Sequence, residues 1–271
     1  MIVHIKGIAV NGPGFGSWAE LRNHLVAGTD LTHDPQLPPQ GTILSGAERR
    51  RASPTIKLAV DVAQAALLSS GMDAEDLALV FASSNGDTLT IHQLCEALAT
   101  PERLVSPTRF HNSVHNAPAG YWSIASGSRQ PSSSICAGDD SFAAGLVEAT
   151  SQCLTEDVPV LLVTVDLPFP EPLYEKTPGH QPFGVALVLD SHAEGSYAQM
   201  TISIAKSTPM DVTSMTDPVL ENLRCDSSAS RSLPLLAALA AAGKRLVVLR
   251  YSGDLQLSVT VEPLYVHSSC P

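Results

Sequence analysis

The chain has 271 residues, of which 44% are hydrophobic, and it carries a formal net charge of −11 at pH 7. This length and composition suit one large domain or two small ones with a full hydrophobic core. The acidic balance argues against nucleic-acid binding, which needs clustered Lys and Arg, and no segment has the unbroken apolar length of a membrane span.

The predicted elements begin with a strand over residues 3–10, which a Gly-Pro-Gly sequence ends. Apolar residues then recur at helical spacing up to Gly28 and again over residues 54–71, so both segments are predicted as helices. The Pro- and Gly-rich segment 30–46 between them is predicted to be a loop.

The middle of the chain continues this alternation. Residues 77–82 form an unbroken apolar run typical of a strand covered on both faces, and a helix is predicted over 88–99. A strand, a helix and a strand are predicted next, over residues 132–135, 141–153 and 158–165. The pattern indicates a layered α/β sheet.

The last third begins with two segments, 183–189 and 198–204, that are predicted to be strands paired antiparallel to each other. The polar segment 207–232 is predicted to be a mobile linker. An Ala- and Leu-rich helix over 233–242 follows, and then a hairpin with strands over residues 245–251 and 255–261.

The amino terminus and the cysteines indicate a cytoplasmic protein. The first residues have the pattern of a strand and not of an export signal. No disulfide framework or metal site is predicted, because no paired or ligand spacing links the cysteines Cys95, Cys136, Cys153, Cys225 and Cys270. Residues 49–51 are the one basic run; they are interpreted as a solvated helix end or loop, or alternatively as a patch for an acidic carrier protein.

The segments 110–122 and 131–142 carry the most distinctive motifs. Two motifs, Asn-x-x-Ala-Gly and Gly-x-x-Gly-Pro, are matched in spacing by the residues Asn116, Ala119, Gly120, Gly127 and Pro131. The chain thus resembles a β-ketoacyl synthase, whose motifs lead into a strand, a reactive cysteine on a tight turn, and a helix. The resemblance covers roughly residues 1–205.

The resemblance places an acid where the nucleophile belongs. Counting from Pro131 without a gap, the cysteine position of the family falls on Asp139, and Cys136 arrives three residues too early. Aligning on Cys136 would need a three-residue insertion in the following helix, nearly one full turn. We therefore favour Asp139, keep Cys136 as the alternative nucleophile, and note that residues 138–141 also have the pattern of an ordinary helix N-cap.

The chemistry of the family indicates that an acid at the nucleophile position would prevent acyl transfer. Acyl transfer from a thioester needs a soft nucleophile activated at a helix N-terminus, and a carboxylate serves poorly. The two histidine motifs of condensing enzymes, His-Gly-Thr-Gly-Thr and Lys-x-x-x-Gly-His, are missing, and neither His180 nor His267 has suitable neighbours. The sequence therefore predicts no catalytic residue of its own.

Other residues near the motifs are predicted to form the pocket and the interface. His111 and His115 lie four apart and are expected to form hydrogen bonds, because two imidazoles without a third ligand make a weak metal site. Tyr121 and Trp122 are predicted to be core or interface aromatics, and Asn116 belongs to the same segment. By analogy with the family, three bulky side chains are predicted to limit acyl chain length: Phe110, Val114 and Phe142.

These features together resemble the chain-length-factor class of ketosynthase partners, and in particular the short proteins of aryl polyene and xanthomonadin-type pigment pathways. The resemblance implies a thiolase-like α/β/α fold with a mixed sheet, a ketosynthase-like half over 1–205 and a reduced carboxyl-terminal remnant over 206–271 within the same domain. It also implies a heterodimer with a catalytic ketosynthase. The implied contacts are the strand at 132–135, which precedes the turn that carries the nucleophile position, and residues 107–122.

The expected partners are therefore a ketosynthase and, in addition, an acyl carrier protein; no cofactor is implied. Two alternatives stay open. The first is an active acyltransferase or β-ketoacyl synthase that uses Cys136. The second is a stand-alone homodimer that binds an acyl chain or its carrier.

Overall fold

The computed structural model describes residues 1–31, 38–177, 179, 181–206 and 212–264. The strands are β1 (Ile2–Asn11), β2 (Ala78–Ala82), β3 (Ser132–Ile135), β4 (Val160–Asp166), β5 (Phe183–Asp190), β6 (Ala198–Lys206), β7 (Arg245–Tyr251) and β8 (Leu255–Pro263). The α-helices are α1 (Trp18–Ala27), α2 (Gly46–Arg51), α3 (Pro54–Ser70), α4 (Thr88–Ala99), α5 (Pro107–Asn112), α6 (Ala117–Ser126), α7 (Ser141–Glu156), α8 (Pro218–Arg224) and α9 (Leu233–Ala240).

All eight described strands form one mixed sheet in the order β3-β2-β4-β5-β1-β6-β8-β7. The first three of these are mutually parallel, and every later neighbouring pair is antiparallel. The predicted layered fold with a mixed sheet is confirmed.

The predicted pairing of the two strands at 183–189 and 198–204 is wrong. β1 lies between β5 and β6 and is antiparallel to both, so β5 and β6 run in the same direction. The cause is the burial of β1, whose residues 3–10 are all buried. A strand with both faces buried is stable in the centre of a sheet, where neighbours on both sides also satisfy its backbone groups.

Helices cover both faces of the sheet. α3 begins at the Ser53 cap, whose hydroxyl accepts from the Ile56 amide, and ends at Gly71 in the left-handed conformation. Its buried side chains join α6 and one face of the sheet in one hydrophobic cluster, and α7 and α9 pack into a second cluster on the other face. The turn between β3 and α7 therefore joins two elements that both pack against the hydrophobic core.

The carboxyl-terminal third is more ordered than its polarity predicted. Residues 218–224 form α8, and Ala229–Ser232 form a 3₁₀ helix in which every residue except Arg231 is buried. The linker prediction is wrong for these residues. α8 begins at the Asp217 cap and buries Leu220 and Leu223. The serines around the 3₁₀ helix bond to one another, as in the 3.1 Å contact from Ser227 Oγ to Ser230 Oγ. Residues 207–211 of the predicted linker lie outside the described residues.

β6, β8 and β7 extend the sheet beyond β1, and the predicted hairpin of β7 and β8 is confirmed. The division at residue 205 stays a prediction. Within the described ranges, no helix combines the length and the hydropathy that crossing a bilayer requires.

Candidate functional site

The elbow is the turn of residues 136–140 between β3 and α7. Cys136 follows the last residue of β3 directly, whereas Asp139 lies two positions before the first residue of the helix. Gly138, with φ +56°, supplies the left-handed backbone of the turn. The Ser141 hydroxyl closes it, accepting from the Ala137 amide at 2.9 Å and donating to the Gly138 carbonyl at 2.6 Å.

Two arginines from the carboxyl-terminal third neutralise the acids of the elbow. Arg231 Nη2 lies 2.8 Å from Asp139 Oδ2, and Arg250 donates from Nε to Asp140 Oδ1 at 2.7 Å and from Nη2 to Asp139 Oδ2 at 3.3 Å. The Asp140 carboxylate raises the pKa of Arg250 above its ordinary value. We call these four side chains the elbow charge cluster.

The charge cluster borders a cavity of about 250 Å³. Phe142 and Leu249 form apolar parts of its lining, and Arg224 and Cys225 polar parts. Arg224 is itself held by Glu221, to which it donates from Nε at 2.7 Å and from Nη2 at 2.6 Å. This pairing lowers the pKa of Glu221 to about 2. The described lining includes Asp139 but neither Cys136 nor any histidine.

Cys136 lies on the other side of the turn. Its thiol is exposed and donates to the Ser84 carbonyl oxygen, with 3.1 Å between Sγ and O. The nearby imidazole of His115 contacts the Ile135 carbonyl through Nε2 at 3.0 Å, and its ring centroid is 5.8 Å from that of Phe81. His115 therefore makes the kind of hydrogen bond predicted for it, and it supports the end of β3.

His111 and His115 do not share a helix face, because α5 ends at Asn112 and a turn separates it from α6. His111 lines a surface groove and His115 contacts β3. Among the described residues, no group of three or more His, Cys, Asp or Glu side chains is arranged to hold a metal ion.

The surface groove has a volume of about 550 Å³ and lies along α5 and α6. Val114, Asn116 and Tyr121 are in its lining, and Tyr121 donates to Asn112 Oδ1 at 3.1 Å. Large apolar side chains project from this surface: Phe110 is 67% exposed, Val114 53% and Ile124 71%. A patch of this kind on a folded chain is typical of an interaction surface.

The other two predicted pocket residues lie in the interior. Trp122 is buried against α3, and Phe142 is buried beneath the elbow in the cluster around α7. Within this chain, Phe110, Val114 and Phe142 therefore do not border one cavity. That they shape a shared pocket stays a prediction, as does the assignment of Asp139 to the nucleophile position.

β3 presents an open edge next to this groove. The carbonyls of Pro131 and Ile135 accept from Leu79 and Ser83 on the β2 side, at 3.0 Å and 3.2 Å. Since backbone groups of a strand alternate in direction, those of residues 132 and 134 point away from β2, and no described strand pairs with them.

The opposite edge of the sheet is protected. The Val248 amide donates to Thr213 Oγ1 at 2.9 Å, and the Val248 carbonyl accepts from the Thr213 amide at the same distance. Blocking one edge and leaving the other open is a common way to restrict pairing to one side of a sheet.

The sequence interpretation missed the two arginines of the charge cluster. Arg231 is 92 residues from Asp139, and Arg250 is 110 residues from Asp140. The one local signal is that Arg250 follows the apolar residues 246–249 of β7, and an exposed charge at such a position does not by itself require a partner.

Comparison with known proteins gives the family. The family described as beta-ketoacyl synthase, N-terminal domain, matches residues 21–248. No curated protein matches the sequence.

Three solved structures illustrate the fold. A chain of the ketosynthase ApeO in complex with its chain length factor ApeC, from Xenorhabdus doucetiae, is 25% identical, with a TM-score of 0.70 over 96% of this chain and 99% of that one. A chain of the ishigamide ketosynthase/chain length factor is 14% identical, with a TM-score of 0.75 over 98% and 100%. The ketosynthase from module 6 of the bacillaene synthase from Bacillus subtilis 168 is 10% identical, with a TM-score of 0.67, and is covered over only 72% of its length against 99% of this chain.

The motifs, the mixed sheet and the match over most of the sequence agree, and the chain belongs to the β-ketoacyl synthase family through its N-terminal domain.

Proposed function

We propose that this chain is a non-catalytic, chain-length-factor-type subunit that pairs with a catalytic β-ketoacyl-acyl carrier protein synthase in a fatty acid or polyketide-type pathway, the aryl polyene class among them. The observation that carries the proposal is the elbow charge cluster. At Asp139, the position to which the count from Pro131 assigns the family's thiolate, this chain has a carboxylate engaged by Arg231 and Arg250.

The chemistry of the cluster supports a non-catalytic role. A carboxylate is stable at a helix N-terminus, where backbone amides and the helix dipole favour an anion. It is a weak nucleophile toward a thioester, and two guanidinium groups weaken it further by holding its lone pairs. The described cavity lining also lacks the imidazoles that would stabilise an enolate. His180 and His267 lie outside the described residues.

The open edge of β3 and the adjacent apolar groove support a partner on this side. A partner strand on β3 would satisfy the outward backbone groups of residues 132 and 134, and the exposed Phe110, Val114 and Ile124 would be covered. The 25% identical structure is a ketosynthase in complex with its chain length factor, which is the assembly proposed for this chain.

An acyl carrier protein is proposed as a second partner, bound near the basic run Arg49–Arg51. These arginines form the last turn of α2, and the Arg51 carbonyl accepts from Asn112 Nδ2 at 2.8 Å, which places the run beside the groove. A local positive patch on an otherwise acidic chain suits an acidic carrier.

The experiment that tests the ketosynthase partner uses the backbone of Ser134. Proline at position 134 removes an amide that points to the open edge and leaves the amides that pair with β2 in place. Ser134→Ala keeps this amide and is the matched control. Each variant is mixed with the catalytic ketosynthase from the same gene neighbourhood, and the complex is measured by native mass spectrometry.

We expect a one-to-one complex with the wild type and with Ser134→Ala, and at least a tenfold loss of affinity with Ser134→Pro, from the lost hydrogen bond and the proline ring. Circular dichroism confirms that each variant is folded. If Ser134→Pro does not fold, Val114→Asp on the exposed groove replaces it. Equal binding by wild type and the folded variants, or no binding by any, would contradict the proposal.

A further inference from the structure

A buried carboxylate lies below the elbow and takes no part in the charge cluster. Asp166, the last residue of β4, is 3% exposed. Its Oδ1 accepts from Ser83 Oγ at 3.0 Å, from the Ser84 amide at 2.8 Å and from Ser84 Oγ at 2.9 Å. Its Oδ2 accepts from the Ala229 amide at 2.8 Å.

These contacts join segments that are far apart in the sequence. Ser83 and Ser84 follow β2, and each is also linked to the end of β3: the Ser83 amide donates to the Ile135 carbonyl, and the Ser84 carbonyl accepts from Cys136 Sγ. Ala229 begins the 3₁₀ helix of the carboxyl-terminal third. Asp166 is thus the point at which this helix is bonded to the ends of β2 and β4.

The same 3₁₀ helix supplies two groups to the elbow. The Phe142 amide, in the first turn of α7, donates to Ser228 Oγ at 3.0 Å, and this hydroxyl acts as a cap because the Asp140 side chain makes no capping hydrogen bond. Arg231, two residues after Ala229, pairs with Asp139. Both contacts depend on where the 3₁₀ helix is held.

We propose that Asp166 is a positioning residue that fixes residues 228–231 against the elbow, so that the N-terminus of α7 is occupied from within the chain. With Ser228 on the Phe142 amide and Arg231 on Asp139, donors and acids that could bind a ligand at this helix start are already engaged. The carboxyl-terminal third then supplies two groups to the elbow: the Ser228 hydroxyl that caps the Phe142 amide and the Arg231 charge that neutralises Asp139. This inference goes beyond the proposed function, since it concerns the isolated chain.

The bonding pattern requires a carboxylate. Burial raises the pKa of the Asp166 carboxyl above its ordinary value, and the hydrogen bonds from Ala229 and Ser84 act against that shift. Each oxygen accepts from one backbone amide. An asparagine has one such oxygen, which is favoured on the side of the three donors from Ser83 and Ser84. Its NH₂ group then faces the Ala229 amide, which loses its acceptor.

The test is hydrogen exchange of the isolated chain, resolved by NMR at single amides, in wild type and Asp166→Asn. We expect the Ala229 and Phe142 amides to exchange roughly ten- to a hundredfold faster in the variant, beyond any change in global stability. The matched control is Asp190→Asn, which changes a buried aspartate at the end of β5 that pairs with Lys6 and does not contact the 3₁₀ helix. It is expected to change global stability without this local effect.

Ser228→Ala separates the two contacts. It removes the acceptor of the Phe142 amide and leaves the bond from Ala229 to Asp166, so fast exchange is expected at Phe142 alone. It also serves if Asp166→Asn does not fold, because it tests the same cap. The inference is overturned if Asp166→Asn leaves both amides as protected as in the Asp190→Asn control, or if Ser228→Ala leaves Phe142 protected. None of these readouts uses a partner, so failure here is distinct from failure of the proposed complex.

Discussion

The close packing of α7 on the sheet can be tested by replacing Gly145 with alanine. A Cβ atom at this position would lie 2.9 Å from the Cβ of Ala82 and 3.0 Å from Cδ1 of Leu162. Both neighbours belong to buried strands that are paired on both sides, at 0% and 1% exposure, and have little room to move. Normal carbon contacts are about 3.5 to 4.0 Å, so the substitution forces the helix away from the strands.

Two effects of opposite sign decide the outcome. Alanine in a helix interior is favoured over glycine by about 1 kcal/mol. Inserting a methyl group into a packed core costs about 1 to 3 kcal/mol. Because the contacts at Gly145 are about 0.5 to 1 Å too short, we take the upper part of that range. The expected net result is a decrease of about 1 to 2 kcal/mol in the free energy of unfolding.

Gly120 in α6 is the matched control. A Cβ there would meet no atom within 4 Å, so Gly120→Ala should raise the free energy of unfolding by about 0.5 to 1 kcal/mol. Urea unfolding of both variants and the wild type, followed by circular dichroism, measures the difference. A Gly145→Ala variant as stable as the wild type, or a change of both variants in the same direction, would show that α7 does not pack this closely on the sheet.

Two further predictions concern the elbow and its surroundings. Phe142→Ala should lower the free energy of unfolding by about 3 to 5 kcal/mol, since the side chain is 1% exposed, and a loss below about 1 kcal/mol in urea unfolding would instead show that the ring packs loosely at the cavity it lines. The pKa of Glu221 is lowered from 4.5 to about 2 by Arg224, so its contribution to stability is complete above pH 4.5 and is lost as the pH falls toward 2. The difference in urea midpoint between wild type and Glu221→Gln should therefore shrink over that interval; a constant difference would contradict the assignment.

The helices and strands with strong local signals could be predicted from the sequence. α3 has a serine cap, a proline in its first turn, a terminal glycine and a long apolar stripe, and α4 was predicted with the observed bounds. These features depend on neighbouring residues alone, which is why a single sequence reveals them.

The arrangement of β1, β5 and β6 could not be predicted in this way. Adjacent apolar strands pair in sequence order more often than not, and this tendency favours the predicted antiparallel pairing of residues 183–189 with 198–204. The actual order follows from the burial of β1 on both faces, which is a property of the whole sheet.

The candidate site was predicted in part. The elbow and its acids come from contiguous motifs, whereas Arg231, Arg250 and Ser228 reach it from segments that the sequence presents as polar linker or ordinary strand. Polar residues that are buried because they bond to distant partners have the composition of exposed loops, so local patterns do not reveal them.

As a non-catalytic subunit, this chain should carry no acyl group of its own. The most direct measurement is the intact mass of both subunits after the copurified complex has been incubated with an acyl carrier protein loaded with its acyl thioester. We expect an acyl adduct on the ketosynthase partner and an unchanged mass for this chain. An acyl adduct on this chain, mapped by peptide analysis to Cys136 or Asp139, would contradict it.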